Sequence, residues 1–148
     1  TNPSQPKNQI VGVFSLELAR IYQYLFQNSD NNYSIIHALD GFDEVSLTDS
    51  CKIISNEGEH VREANYFDLT PVKYEDLSGG NTIEEAASIF IKILAGNGTE
   101  TQEKVVLANA ATAIKTYYPE KSIKESMELA VDSLLSHKAQ SAFQTLIS

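Results

Sequence analysis

Residues 33–44, Tyr33-Ser34-Ile35-Ile36-His37-Ala38 followed at once by Leu39-Asp40-Gly41-Phe42-Asp43-Glu44, decide how this chain folds. The first six make a largely apolar run that reads as a buried strand. Three carboxylates and a glycine come directly after it. Ligands of open α/β sheets bind outside the carboxyl ends of the strands, so Asp40, Asp43 and Glu44 make a candidate site for a cation or a cation-phosphate complex. The same residues also read as an ordinary turn, because Asp and Gly are turn formers. Mg²⁺ needs only one or two carboxylates beside water and phosphate oxygens, so the adjacent Asp43 and Glu44 suffice for it.

Upstream, residues 9–14 are short, β-branched and apolar, and Ser15 stands where it can cap a helix through Leu16, Ala19, Ile21, Tyr22, Leu25 and Phe26. Residues 28–32 close that helix as a polar turn. With the strand at 33–38 this is a βαβ unit, which predicts parallel strands and a right-handed crossover. The carboxylate loop then lies at the edge of the sheet where ligands bind.

Downstream, residues 44–47, 51–55 and 60–67 read as short strands separated by Asp49 and Gly58, additions of antiparallel type. Residues 69–80 are irregular. Thr82 with Glu85 forms a capping box that opens a helix whose apolar face holds Ile83, Ala86, Ala87, Phe90, Ile93 and Leu94, and Gly96-Asn97-Gly98 ends it. Helices are predicted over 100–118, 122–136 (opened by a second box, Ser122 with Glu125) and 138–147, with Pro119 between the first two. The Ala-rich stretch 107–114 reads as a central helix packed on more than one side, and Asn109 within it as a polar group hydrogen-bonded for packing. Gly79-Gly80-Asn81 has two readings, a phosphate-binding nest or a capped helix entry.

The chain has 148 residues, enough for one domain with a hydrophobic core, and a formal net charge of -9. No cluster of Lys or Arg forms a basic patch, which argues against nucleic-acid binding by counterion release. The single Cys51, in an apolar stretch, reads as a buried hydrophobe, and one cysteine allows no disulfide framework. His37 can orient the loop by a hydrogen bond or be merely structural, while His60 and His137 lack partners at zinc spacing. Apolar runs are too short for a membrane span and the N-terminus lacks signal-peptide regions, so a cytoplasmic protein is expected. The only methionine is Met127, and the expectation is that an upstream segment has been removed.

Taken in order, these motifs resemble the C-terminal part of the anthranilate phosphoribosyltransferases. Thr1-Asn2-Pro3 is similar to the end of the family's Gly-Pro-Leu-Thr-Asn-Pro hinge, and Gln9-Ile10-Val11-Gly12-Val13 to the strand after it. Residues 37–44 match the family form His-Gly-x-Asp-Gly-x-Asp-Glu, with Ala38 in place of the usual glycine. Gly79-Gly80-Asn81 with Glu84-Glu85-Ala86, Leu107-Ala108-Asn109-Ala110-Ala111, and the helix around Glu128-Leu129-Ala130 complete the match.

The resemblance implies an α/β fold, namely part of a large phosphoribosyltransferase domain of nucleoside phosphorylase-like type, with a mixed sheet, a βαβ unit and C-terminal helices. It implies that residues 1–148 are the C-terminal part of that domain, with an N-terminal helical domain and the first part of the α/β domain upstream. It further implies a Mg²⁺-dependent enzyme of tryptophan biosynthesis, a homodimer when intact. The reaction moves the phosphoribosyl group of phosphoribosyl pyrophosphate to anthranilate and releases pyrophosphate. Asp43 and Glu44 match the family's acidic pair, which binds Mg²⁺ and through it the substrate. The Gly-rich pyrophosphate loop, the basic phosphate-binding segment and the arginine that meets anthranilate are expected before Thr1, and little activity is expected of the 148 residues alone. The alternative is a non-catalytic relative of the same fold acting as a binding module. Pyrimidine nucleoside phosphorylases share the fold, but Asp-Gly-Phe-Asp-Glu suits the anthranilate enzymes better.

Overall fold

The computed structural model describes residues 4–148, so Thr1-Asn2-Pro3 lies outside the described residues. Strand β1 (Asn8–Gly12), helix α1 (Leu16–Phe26) and strand β2 (Asn32–Ala38) form the expected unit, and β1 and β2 pair in parallel with Gln9 opposite Tyr33 and Gly12 opposite Ile36. Ser15 caps α1, its hydroxyl accepting from the Leu18 N–H at 3.2 Å. Strands β3 (Cys51–Ser55) and β4 (Gly58–Arg62) follow as an antiparallel hairpin, giving a mixed sheet in the order β1-β2-β3-β4.

Side-chain alternation along β2 divides the core in two. Tyr33 and Ile35 point to α1, where they pack with Val13, Ala19, Phe26 and Ile54. Ser34, Ile36 and Ala38 face the opposite side, covered by α3 (Glu100–Tyr117): Ser34 shares a buried 2.7 Å hydrogen bond with Thr116, and Ile36 and Ala38 lie in one cluster with Ala108, Val45, Leu47, Cys51 and Phe67. Ala108 and Ala111 are both 0% exposed, and such small side chains let the helix axis come close to the sheet. The Ala-rich segment is therefore the central helix, with the sheet on one side and α4 (Ile123–Leu135) on another.

The helix ends follow their local chemistry. Thr99 with Gln102 and Ser122 with Glu125 each make a reciprocal capping box at the starts of α3 and α4. At α2 (Ile83–Leu94) only half of the expected box forms. Thr82 accepts from the Glu85 N–H, whereas the Glu85 carboxylate takes the N–H of Asn81, one residue earlier than the box requires. Gly96, at φ 71°, ends α2 with the paired bonds Gly96 N–H to Ile93 and Asn97 N–H to Lys92. Of the apolar face expected on this helix only Ile93 is buried, and Ile83 is 84% exposed. Helix α5 (Lys138–Ile147) meets α2 through an edge-to-face pair, Phe90 on Phe143.

The expected bounds of the strands and turns are corrected at several points. Residues 44–47 form a loop: the backbone of Val45 is taken by a side chain from α3, and Leu47 sits at φ 61°, which no strand admits. Residues 60–67 divide into the end of β4 and a 3-10 turn, Ala64–Phe67, which sinks Phe67 into the core. Gly58 opens β4 at φ 109°, and the hairpin loop is Asn56 and Glu57. The first strand also stops at Gly12 rather than Phe14, and Asn32 opens β2 instead of closing the turn. Among the described residues no helix is long and apolar enough to cross a membrane.

Phe67 is 1% exposed and carries the cluster beneath the loop, so Phe67→Ala should cost about 3–5 kcal/mol in urea denaturation. A loss below about 1 kcal/mol would mean that this cluster is not closely packed.

Candidate functional site

At Ala38 the buried strand runs out and the chain turns: Gly41 N–H donates to the Ala38 carbonyl at 3.0 Å and Ala38 N–H to the Phe42 carbonyl at 2.9 Å. Gly41, at φ 99°, supplies the conformation the turn needs. Asp40 belongs to this framework. Its Oδ2 accepts from the hydroxyls of Ser46 and Thr48, which draws the far side of the loop onto the near side. All three acids read together from the sequence are exposed, but Asp40 is bonded within the loop, which leaves Asp43 and Glu44 as the pair on its outer side.

The backbone that carries those two is fixed from both sides. A Cβ built on Gly12, at the end of β1, would lie 1.8 Å from the carbonyl oxygen of Asp43, so loop and strand touch backbone to backbone. From α3, Asn109 Oδ1 accepts the Val45 N–H at 3.0 Å, while its Nδ2 donates to the Val45 carbonyl at 2.8 Å and to the Val105 carbonyl at 2.9 Å. Val72 N–H to the Leu47 carbonyl, 3.0 Å, ties the loop farther on. Two carboxylates are left projecting from a rigid support at the carboxyl end of the sheet.

Among the described residues no group of three or more His, Cys, Asp and Glu side chains could hold a metal ion. Two exposed acids on a fixed loop suit Mg²⁺, which keeps several waters and takes phosphate oxygens as its other ligands. Beside Glu44 an open groove of about 520 Å³ runs between the loop, α2 and α3, walled by Phe42, Ser46, Tyr74, Gly79, Gln102 and Val105, with no Lys or Arg in its lining.

The remaining candidates resolve into structural roles. His37 is buried and its Nδ1 donates to the Val13 carbonyl at 2.9 Å, which binds β2 to the segment after β1 and not to the acids. At Gly79-Gly80-Asn81 the capped-entry reading holds, since the Asn81 N–H is taken by Glu85 and the Gly80 N–H by Ser78. Asn109 was legible as a hydrogen-bonded polar group, but its partner was not. Gly12 was missed, although a glycine ending an apolar strand is a sign of close backbone approach.

Residues 1–140 match the model of a glycosyl transferase family, a/b domain. The chain belongs to this family. Within it, the anthranilate phosphoribosyltransferase of Flavobacterium psychrophilum is 49% identical over 145 residues, covering 98% of this chain and 44% of the relative. That of Cytophaga hutchinsonii is 41% identical over 146 residues, 99% of this chain and 44% of the relative. This chain therefore spans less than half the length of the curated relatives it matches. Among solved structures, anthranilate phosphoribosyltransferase from Saccharomyces cerevisiae in complex with PRPP and Mg superposes with a TM-score of 0.80 at 22% identity, over 95% of this chain and 40% of that one. The Thermus thermophilus enzyme gives 0.76 at 24% identity, over 87% and 39%. These likenesses establish the α/β fold, and the relatives bear out the resemblance read from residues 37–44 and 107–111.

Two predictions rest on this geometry. Gly12→Ala has no room, because its neighbour is backbone; it should destabilise the protein by about 1–3 kcal/mol in thermal or urea unfolding, and a neutral result would remove the contact. Burial pushes the Cys51 thiol up to about 11 and leaves it 2% exposed, so near pH 8 only about one in a thousand is thiolate. Alkylation by iodoacetamide should be far slower in the native protein than in urea, and equal rates would contradict the buried placement.

Proposed function

We propose that the full-length protein containing this chain transfers the phosphoribosyl group of phosphoribosyl pyrophosphate to the amine of anthranilate, releasing pyrophosphate, as a Mg²⁺-dependent enzyme of tryptophan biosynthesis. The observation that carries this reading is the exposed Asp43 and Glu44 pair on a loop fixed by Gly12 and Asn109. It is joined by relatives that bear the anthranilate phosphoribosyltransferase name at 49% and 41% identity. In this reading residues 1–148 are the C-terminal part of the α/β phosphoribosyl-transfer domain.

Asp43 and Glu44 would hold Mg²⁺ together with phosphoribosyl pyrophosphate. When bound, Mg²⁺ offsets the negative charge that builds on the departing pyrophosphate. The loop keeps the two carboxylates at one place relative to the sheet, so their charge is oriented before the substrate arrives and no reorganisation is needed during the reaction. Attack by the amine of anthranilate at the anomeric carbon is then a matter of holding the two partners in line, and no residue of this chain need form a covalent bond.

Both substrates are anions, whereas this chain carries a net charge of -9 and its acid loop opens on a groove without Lys or Arg. The cationic groups that would bind them are assigned to the rest of the full-length protein, and the 148 residues alone are expected to turn over little or nothing. The intact enzyme is expected to be a homodimer.

Loss of anthranilate fluorescence in the presence of phosphoribosyl pyrophosphate and Mg²⁺ tests the proposal on the full-length protein. Turnover should be Mg²⁺-dependent, and Asp43→Asn or Glu44→Gln should lower it at least about 10-fold or raise the Mg²⁺ requirement by as much. No turnover in the unsubstituted protein would overturn the transferase reading. Unchanged Mg²⁺ dependence in both variants would overturn the metal assignment alone.

A further inference from the structure

Asn109 stands on the side of α3 that meets the loop, and its three side-chain hydrogen bonds all go to backbone, two of them to one residue of the acid loop. Its Oδ1 accepts the Val45 N–H at 3.0 Å and its Nδ2 donates to the Val45 carbonyl at 2.8 Å, so the amide replaces the neighbouring strand that Val45 lacks. The third bond, Nδ2 to the Val105 carbonyl at 2.9 Å, anchors the amide one turn back along its own helix and fixes its rotamer. Val45 is 1% exposed, out of reach of water that could serve the same groups. It directly follows Glu44 in the chain, and Asp43 is held from the other side by Gly12.

We infer that Asn109 is the positioning residue of the acid pair, acting through the backbone of Val45 to set where Asp43 and Glu44 present their carboxylates to a divalent cation. This rests on the proposed role of those acids. It goes beyond that role by giving a helix residue with no metal contact control over metal affinity.

Among the described residues the Val45 backbone takes its side-chain hydrogen bonds from Asn109. Leucine at 109 is close in size to asparagine but leaves the Val45 N–H and carbonyl without partners in a dry setting, and the loop must then shift to find others. Alanine removes the bonds and leaves space beside the loop. Ser126 provides the comparison: it is 0% exposed in α4, and its hydroxyl donates to the Ser122 carbonyl at 3.0 Å, so Ser126→Ala removes a buried helix hydrogen bond without touching the loop.

The test uses the full-length protein with Asn109→Leu, Asn109→Ala, Ser126→Ala and Asp43→Asn. Three quantities are read. They are binding of Mn²⁺ alone, counted from the electron paramagnetic resonance signal of the free ion, half-saturation by Mg²⁺ in the anthranilate assay, and hydrogen exchange of the Val45 amide. Both Asn109 variants should raise the Mn²⁺ dissociation constant and the Mg²⁺ half-saturation about 10-fold or more and speed exchange at Val45, while Ser126→Ala leaves all three in place. If Asn109→Leu does not fold, Asn109→Ala carries the test. A folded Asn109 variant with unchanged Mn²⁺ binding overturns the inference, as does an equal shift in Ser126→Ala, which would mark general loosening. Asp43→Asn with unchanged Mn²⁺ binding, beside faster Val45 exchange in the Asn109 variants, would overturn the acid-pair reading while leaving Asn109 as the anchor of the loop.

Discussion

The amide of Asn109 closing on both backbone groups of Val45 is the constraint around which this molecule is arranged. A loop that leaves a buried strand carries polar backbone into the interior, and each N–H or C=O that is not matched there costs about 1–3 kcal/mol. Here one side chain answers both groups of Val45, and the loop can bury Val45 and Leu47 as part of the core. The alanines on either side of Asn109 follow from the same need. A bulkier helix surface would hold the amide too far from the loop to reach it.

The acid pair gains a particular character from that arrangement. Asp43 and Glu44 are exposed, but their backbone is wedged between the end of β1 and the flank of α3. Their charges are free to meet solvent and ligand while their attachment points are as fixed as the sheet. Asp40, equal to them in the sequence, is consumed in making the loop.

How much of this could be read in the sequence depends on the range of the interaction involved. Helices α1 and α4 are legible because their caps and apolar faces lie within one turn of each other, as with Ser122 and Glu125, and α3 from its Ala-rich run before Pro119, although its Thr99–Gln102 cap was not read. The parallel pair β1 and β2 follows from the helix between them. Residues 44–47 misled because Val45 and Leu47 alternate with polar neighbours as a strand would, and both are indeed buried. Only their backbone partner differs, and that partner is 64 residues away. The site was half legible for the same reason: Asp43 and Glu44 stand in a local motif, whereas the contact of Gly12 with Asp43 and the Asn109 clamp exist only once the chain has folded.

The sheet order has one more consequence, which lies in its two outer strands. β4 presents Glu59, His60 and Arg62 along its length, and charges on an outer strand discourage another strand from pairing there. β1 offers Asn8, Gln9, Ile10, Val11 and Gly12, uncharged throughout, with Ile10 40% exposed. Growth of this sheet is thus polarised: it is closed to newcomers on one flank and receptive on the other, and a further strand would join beside β1, next to the carboxylates.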